Sequence, residues 1–246
     1  MTRLVRAEFT KLATTRLIYG MAAAMAAFAV LTVAANMLDR QGAPPLSADN
    51  FPMLVGGPVT LLSGAALLLG ILGMTGEFRH QTVTQTFLVT PDRGRVVAAK
   101  LIAYPLAGIA LALSILAFTA AVATGWLAAK GITPSLLDAR LGRVLLGAVL
   151  AAGLCGLVGV GVGALVRNQV AALVGVLVWV LVVEGLLMSL LHAPSLGKWL
   201  PSAAAAALTN PGGSQLSRLA GTLLLAGYAL ALALVGTRLV VRRDIT

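Results

Sequence analysis

Six predominantly apolar stretches, near residues 17–38, 51–74, 101–129, 144–166, 170–191 and 219–241, fill most of this chain of 246 residues. About 20 apolar residues suffice to cross the hydrocarbon of a bilayer as a helix. Lipid offers backbone N–H and C=O groups no partner, so each run predicts a helix that satisfies its own backbone. Composition agrees: 59% of residues are hydrophobic, 11% are charged, and the mean hydropathy is +0.96. Soluble domains carry about a quarter charged residues. The expectation is an all-α integral membrane protein with six transmembrane helices in one domain spanning residues 1–246. The third run would reach about 44 Å if wholly helical, so it must tilt, kink or protrude, with Pro105 as the natural kink site. The first run follows a basic lead, but it is longer than the roughly 7–15 apolar residues of a cleavable signal. It reads as a retained span.

Orientation follows from the 18 Lys and Arg residues. With the N-terminus inside, the cytosolic side holds Arg3, Arg6, Lys11, Arg16, Arg79, Arg93, Arg95, Lys100, Arg167, Arg238, Arg242 and Arg243. The other side holds Arg40, Lys130, Arg140, Arg143, Lys198 and Arg218. Basic residues concentrate on cytoplasmic loops, so both termini and the loop between spans two and three are expected in the cytosol, at the cytoplasmic membrane. The same distribution accounts for the net charge of +10 without nucleic acid, since no basic patch or aromatic stacking platform forms.

Outside the spans, residues 2–16 place Leu4, Val5, Phe9 and Leu12 on one helical side, and Arg3, Arg6, Thr10 and Lys11 largely elsewhere. This predicts an N-terminal helix lying flat in the headgroup layer. Between the last two spans, residues 195–200 and 202–208 each have the makings of a short outer helix, separated by Pro201. The loop from Gly76 to Lys100 is one of the longest polar passages. Within it, residues 82–88 predict about two helical turns with Val83, Phe87 and Leu88 on an apolar edge and Thr82, Gln85 and Thr86 on a polar one. Pro91 then discourages helix just before it.

Chemistry is sparse. There is no G-x-x-x-x-G-K-[ST] phosphate-binding loop and no H-E-x-x-H metal motif. His80 and His192 are expected on opposite faces of the bilayer, which argues against a shared metal or a His-based triad. Ser63 and Ser114 have no evident base nearby, so an intramembrane enzyme is disfavoured. Cys155, the sole cysteine, reads as a small packing residue. Gly147, Ala151, Cys155, Gly159 and Gly163 recur every four residues in span four, a ridge suited to close helix packing within the subunit or to a sliding or dimer seam. Glu184 is the one acid deep in a span. It predicts either an ion pair with an outer base such as Arg143 or Arg218, a protonated hydrogen-bonded acid, or a group lining a transport path.

The loop GEFRHQTVTQTFLVTPDRGRVVAAKL resembles that of type-2 ABC exporter permeases, through Gly76, Glu77, Phe78, Arg79, Thr82, Thr84, Pro91, Arg93 and Lys100. RAEFTKLATTR, with Glu8, Lys11 and Arg16, is similar to that family's N-terminal connecting helix, and VEGLLMSLLHAPSLGKWLP, with Glu184 and Pro201, to its fifth-span exit and outer helices. The resemblance implies a permease without ATPase activity, with ATP and Mg bound by a separate ATPase subunit and no cofactor in this chain. It implies a homodimer or a heterodimer with a sister permease, and an exported substrate that the aliphatic path leaves open to amphipathic or hydrophobic molecules. It implies contact with the ATPase through Glu77, Phe78, Arg79, Thr82, Val83, Thr84, Thr86 and Phe87, with Arg167 adding a smaller contact. Charge reversal at Glu77 or truncation of Phe87 would then uncouple hydrolysis from export. Two other classes compete: a polytopic scaffold or assembly factor whose loop binds a cytosolic regulator, and an ion-coupled carrier, for which inverted repeats and several intramembrane acids would be expected.

Overall fold

A computed structural model describes residues 1–38, 48–82, 88, 92–135, 138–191, 197–209 and 216–242. The described residues are helical with no strand among them, and six helices or helix pairs are long and apolar enough to cross a membrane. The chain is thus a multi-pass helical membrane protein in architecture. Helix α1 (Thr2–Thr14) ends at Thr15, whose extended backbone (φ −87°, ψ 135°) turns the chain into α2 (Arg16–Leu38), the first span. The Thr15 hydroxyl donates to the Leu12 carbonyl at 2.9 Å and closes the corner.

The second span is interrupted. Helix α3 (Phe51–Gly56) and α4 (Val59–Arg79) are separated by a turn at Gly57 and Pro58. Spans three and four begin well upstream of their apolar runs. Helix α5 (Arg93–Ala128) starts where the Asp92 side chain accepts from the Arg95 N–H at 3.2 Å. Helix α6 (Ala139–Val166) starts where Asp138 accepts from Arg140 N–H at 2.8 Å. Both are N-caps, which allow polar first turns to extend a helix beyond its hydrophobic stretch. Helix α5 continues through Pro105, which is buried against Gly156 of α6.

A two-residue corner joins spans four and five. Arg167 takes the left-handed conformation (φ 55°) that closes α6, and Asn168 caps α7 (Gln169–Val178) by accepting from Ala171 N–H at 3.1 Å. Span five then passes through a π-helical turn, Trp179–Val183, into α8 (Glu184–Leu191). The expected outer helix at 202–208 is α9 (Pro201–Thr209), with Pro201 at its first position, where its missing N–H costs nothing. The helix expected at 195–200 lies partly outside the described residues; Gly197 to Leu200 form a turn closed by Leu200 N–H on Gly197 C=O. Helix α10 (Arg218–Arg242) is the last span.

Helix α6 is the centre of the bundle, packed against α4, α5, α9 and α10. Its small residues explain why. A Cβ on Gly159 would collide with the Leu67 carbonyl of α4, and one on Gly147 with the Leu208 carbonyl of α9. Gly163 lies against Ile71 and Met74 of α4, Gly156 against Pro105 of α5, and Gly161 against Leu232 of α10. With no water to expel between helices in lipid, such close backbone contact is a main source of association. By contrast α2 and span five are largely uncovered by the rest of the chain.

Candidate functional site

Three helix faces meet at one end of the bundle. On α1, Glu8 and Leu12 are one turn apart and both buried, with Lys11 beside them at the edge. On α4, Gly73 and Glu77 are one turn apart near the C-terminus. On α5, Lys100 and Tyr104 are likewise one turn apart. The Lys100 side chain is the hub. Its Nζ donates to Glu8 Oε2 at 2.9 Å, to Glu77 Oε1 at 3.0 Å and to the Gly73 carbonyl at 3.0 Å. An ammonium has three N–H donors, so all are used. Lys11 Nζ reaches Glu8 Oε1 at 2.7 Å and Glu77 Oε1 at 2.6 Å. The Tyr104 hydroxyl donates to Glu8 Oε2 at 3.3 Å, and its ring centroid lies 5.6 Å from Lys100 Nζ.

Lys100 is 1% exposed. An unpaired ion at that depth would cost several kcal/mol, and a pair recovers the cost only with good geometry and full hydrogen bonding. Both conditions hold for Lys100 and Glu8. Glu77 needs the arrangement as well, because a carboxylate in the last turn of a helix opposes the macrodipole. Gly73 makes room: a Cβ there would strike the Tyr104 ring. On the Glu8 carboxyl, burial pushes the pKa up, but Lys100 and Lys11 outweigh it and hold the group below its ordinary value. On Lys11, burial pushes down, and the hydrogen bonds it donates to Glu77 and Glu8 outweigh it and raise the ammonium above its ordinary value. Glu8 and Lys11 are therefore held in their charged forms at neutral pH.

The sequence expectation counted Lys100 among the basic residues of the cytosolic side; the structure buries it. Glu77, expected to face a partner, is turned inward, with its side chain 12% exposed. Phe78 is half-buried beneath the Arg167 guanidinium, 5.8 Å from ring centroid to Cζ. Arg167 also donates through Nη2 to the Leu239 carbonyl at 2.6 Å, near the C-terminal end of α10. These contacts bring α1, the end of α4, the corner at 167–168 and the end of α10 to one end of the molecule. Arg79 and Thr82 remain exposed. The α4 terminus is closed by Thr82 N–H on Glu77 C=O and Gln81 N–H on Phe78 C=O, with Gln81 at φ 56°. This pairing fixes the direction in which the chain leaves the span. Val83, Thr84, Gln85, Thr86, Phe87 and Pro91 lie outside the described residues; of the expected helix at 82–88, Thr82 is non-helical and Leu88 is helical and exposed.

On α1, Val5 and Leu12 pack inward as the apolar pattern predicts, but the buried face also carries Glu8, and Phe9 is exposed. Spacing offered a signal: an acid and a base at i and i+3 on an otherwise basic helix, with an acid and a base at the facing ends of spans two and three.

At the opposite end Glu184 is also buried, at 4% exposure. Its Oε1 accepts from Trp179 Nε1 at 2.9 Å, and Oε2 accepts from the Ser202 hydroxyl of α9. Among the described residues no Lys or Arg pairs with it. Arg143 is exposed, and Arg218 Nη2 lies instead 3.9 Å from where a Cβ on Gly147 would sit. The π-helical turn explains the Trp179 contact, because its i to i+5 register sets residues five apart over one another.

The ridge of Gly147, Ala151, Cys155, Gly159 and Gly163 is occupied within the chain. A four-residue step rotates roughly 40° beyond a full turn, so the ridge winds around α6. It meets α9 at Gly147, packs Cys155 beside Ala204 and Leu225, and meets α4 at Gly159 and Gly163. No protein-family model matches this chain, and no curated protein sequence is significantly similar to it.

Proposed function

We propose that the chain is the permease subunit of an ATP-driven ABC exporter in the cytoplasmic membrane, with both termini in the cytosol and a separate nucleotide-binding subunit docked on the loop after Arg79. The observation that supports this most is the charge cluster. It joins α1, the exit of span two and the start of span three into one unit, beside an exposed Arg79 and Thr82. A push on the loop would pass into two spans at once rather than be absorbed by a hinge. ATP would supply the differential binding energy that moves such a unit between two packings. The permease pairs with a second copy or a sister chain, and the substrate is amphipathic or hydrophobic.

Two consequences differ from a reading of the loop alone. Charge reversal at Glu77 would break the cluster, so it would not isolate coupling. Arg79→Glu would, because that side chain is exposed. Affinity purification of the tagged chain from its native membrane, followed by mass spectrometry, is expected to recover a P-loop ATPase, and Arg79→Glu to reduce that recovery while membrane levels stay constant. Recovery of no ATPase from the native membrane, with a non-ATPase regulator in its place, would establish the scaffold reading instead.

A further inference from the structure

Beside the charge cluster is a cavity of about 440 Å³ between α1, the start of α2, α4 and the start of α7. That volume lies within the roughly 300–1,000 Å³ of small-molecule sites. One part of its wall is aliphatic, formed by Leu12, Leu17, Leu69 and Leu72; another presents Lys11, Glu77, His80 and Lys100. The cavity is therefore amphipathic, at the level where the charged end of the bundle gives way to its apolar body.

The hydrogen-bond valences of the cluster define what it can take. Both oxygens of Glu8 are engaged, and all three N–H groups of Lys100 are used. Glu77 Oε1 accepts from both lysines, whereas nothing among the described residues donates to Glu77 Oε2. Lys11 and Lys100 against Glu8 and Glu77 leave no net charge to attract an anion. The Lys11 ammonium is already committed to two carboxylates. An incoming cation, in contrast, meets an open carboxylate oxygen. That oxygen rewards a group with N–H donors, since a charge-assisted N–H···O bond is about twice as strong as a neutral one. A quaternary ammonium has no such donor.

We infer that this cavity binds the primary ammonium head of an amphiphile, with Glu77 Oε2 as acceptor and the leucine wall holding the apolar chain. The same chemistry is found in an aminophospholipid of the adjoining leaflet and in a soluble long-chain amine. Binding needs only the folded chain, so it stands or falls separately from the ATPase partnership.

The test uses the purified full-length chain in detergent and native mass spectrometry. One arm offers phosphatidylethanolamine and phosphatidylcholine with identical acyl chains in equal amounts. The other offers dodecylamine and dodecyltrimethylammonium. The primary amine is expected to be retained about tenfold over its quaternary counterpart, the scale of one such hydrogen bond. Glu77→Gln is expected to abolish the preference. Leu72→Trp, which fills the cavity without touching the charges, is expected to abolish retention while the thermal midpoint holds. Preference in the lipid arm assigns the ligand to the membrane, and preference in the amine arm alone assigns it to a soluble amphiphile. Equal retention of both members in both arms overturns the inference. So does a preference that survives both Glu77→Gln and Leu72→Trp.

Discussion

The two ends of this bundle bury carboxylates in different ways. At one end Glu8 and Glu77 are neutralised by Lys100 and Lys11, and the four charges come from three helices. At the other end Glu184 has, among the described residues, only an indole N–H and a hydroxyl. The first arrangement is strongly interdependent: Lys100, Glu8 and Glu77 are withdrawn from solvent at a cost that their partners offset. The second is local, with one hydrogen bond inside span five and one from α9. The charge cluster should therefore behave as a rigid joint, and the Glu184 contact as a replaceable tether.

The sharpest way to break this contrast is to remove the hub. Lys100→Met leaves two carboxylates facing each other with one half-exposed lysine between them. The expected loss is about 3–5 kcal/mol, the cost of stranding a buried charge. It should be read as a fall in the thermal unfolding midpoint in detergent. Adding Glu8→Gln should recover part of that loss, because the remaining Glu77 and Lys11 still pair. If the double variant is less stable than the single one, the interdependence claimed for the cluster is wrong.

A smaller effect is expected at Gly73. Gly73→Val would drive its side chain into the Tyr104 ring, which is 5% exposed and has little room to move. Overpacking of this kind costs about 1–3 kcal/mol. Tyr104→Ala in the same chain should relieve the clash, so that Gly73→Val costs less in that background than in the native one. Equal costs in both backgrounds would show that the ring is not what Gly73 accommodates.

Acid provides the next test. The folded-state pKa of Glu8 lies below its ordinary value of 4.5, so its contribution is complete above that value and is lost as pH falls through the lower folded value. Lys11 is raised above 10.5, so its contribution is complete below that value and is lost as pH rises through the higher folded one. Glu8 and Lys11 together should contribute a flat stability profile between these limits, with a decline on the acid side below pH 4.5 that belongs to Glu8. Glu8→Gln should lower the plateau and shrink the acid decline. An acid limb unchanged in Glu8→Gln would assign that decline to other carboxylates.

How much of this was written locally in the sequence differs between features. The six spans follow from the length of apolar runs, and α9 from Pro201 heading an alanine run. The early starts of α5 and α6 were signalled by Asp92 and Asp138, each a capping residue directly before the polar first turn that the hydrophobic pattern alone misses. The break in span two had its own signal in Gly57–Pro58. The cluster is different in kind. Glu8 and Lys100 are 92 positions apart, and Lys11 and Glu77 are 66 apart. Their charges were visible, but their meeting depends on the packing of α1 against α4 and α5. Trp179 and Glu184 were separated by the wrong interval for an α-helix and came together only through the π-helical turn.

The smallest expected effect belongs to Glu184. In Glu184→Gln the amide oxygen still accepts from Trp179, and the amide N–H₂ donates to the Ser202 oxygen in place of the bond it loses. The change exchanges one hydrogen-bonding pattern for another at a group that no Lys or Arg pairs with among the described residues. The expected cost is about 0.5–1.5 kcal/mol or less, the net worth of an ordinary hydrogen bond. Export, assayed in vesicles with the ATPase partner present, separates tether from path. Native export with a slightly lowered midpoint makes Glu184 a structural contact between span five and α9. A loss of export at an unchanged midpoint would place its carboxylate on the transport path. A drop in stability as large as that of Lys100→Met would erase the contrast between the two ends, since neutral donors would then be holding a carboxylate as firmly as two lysines do.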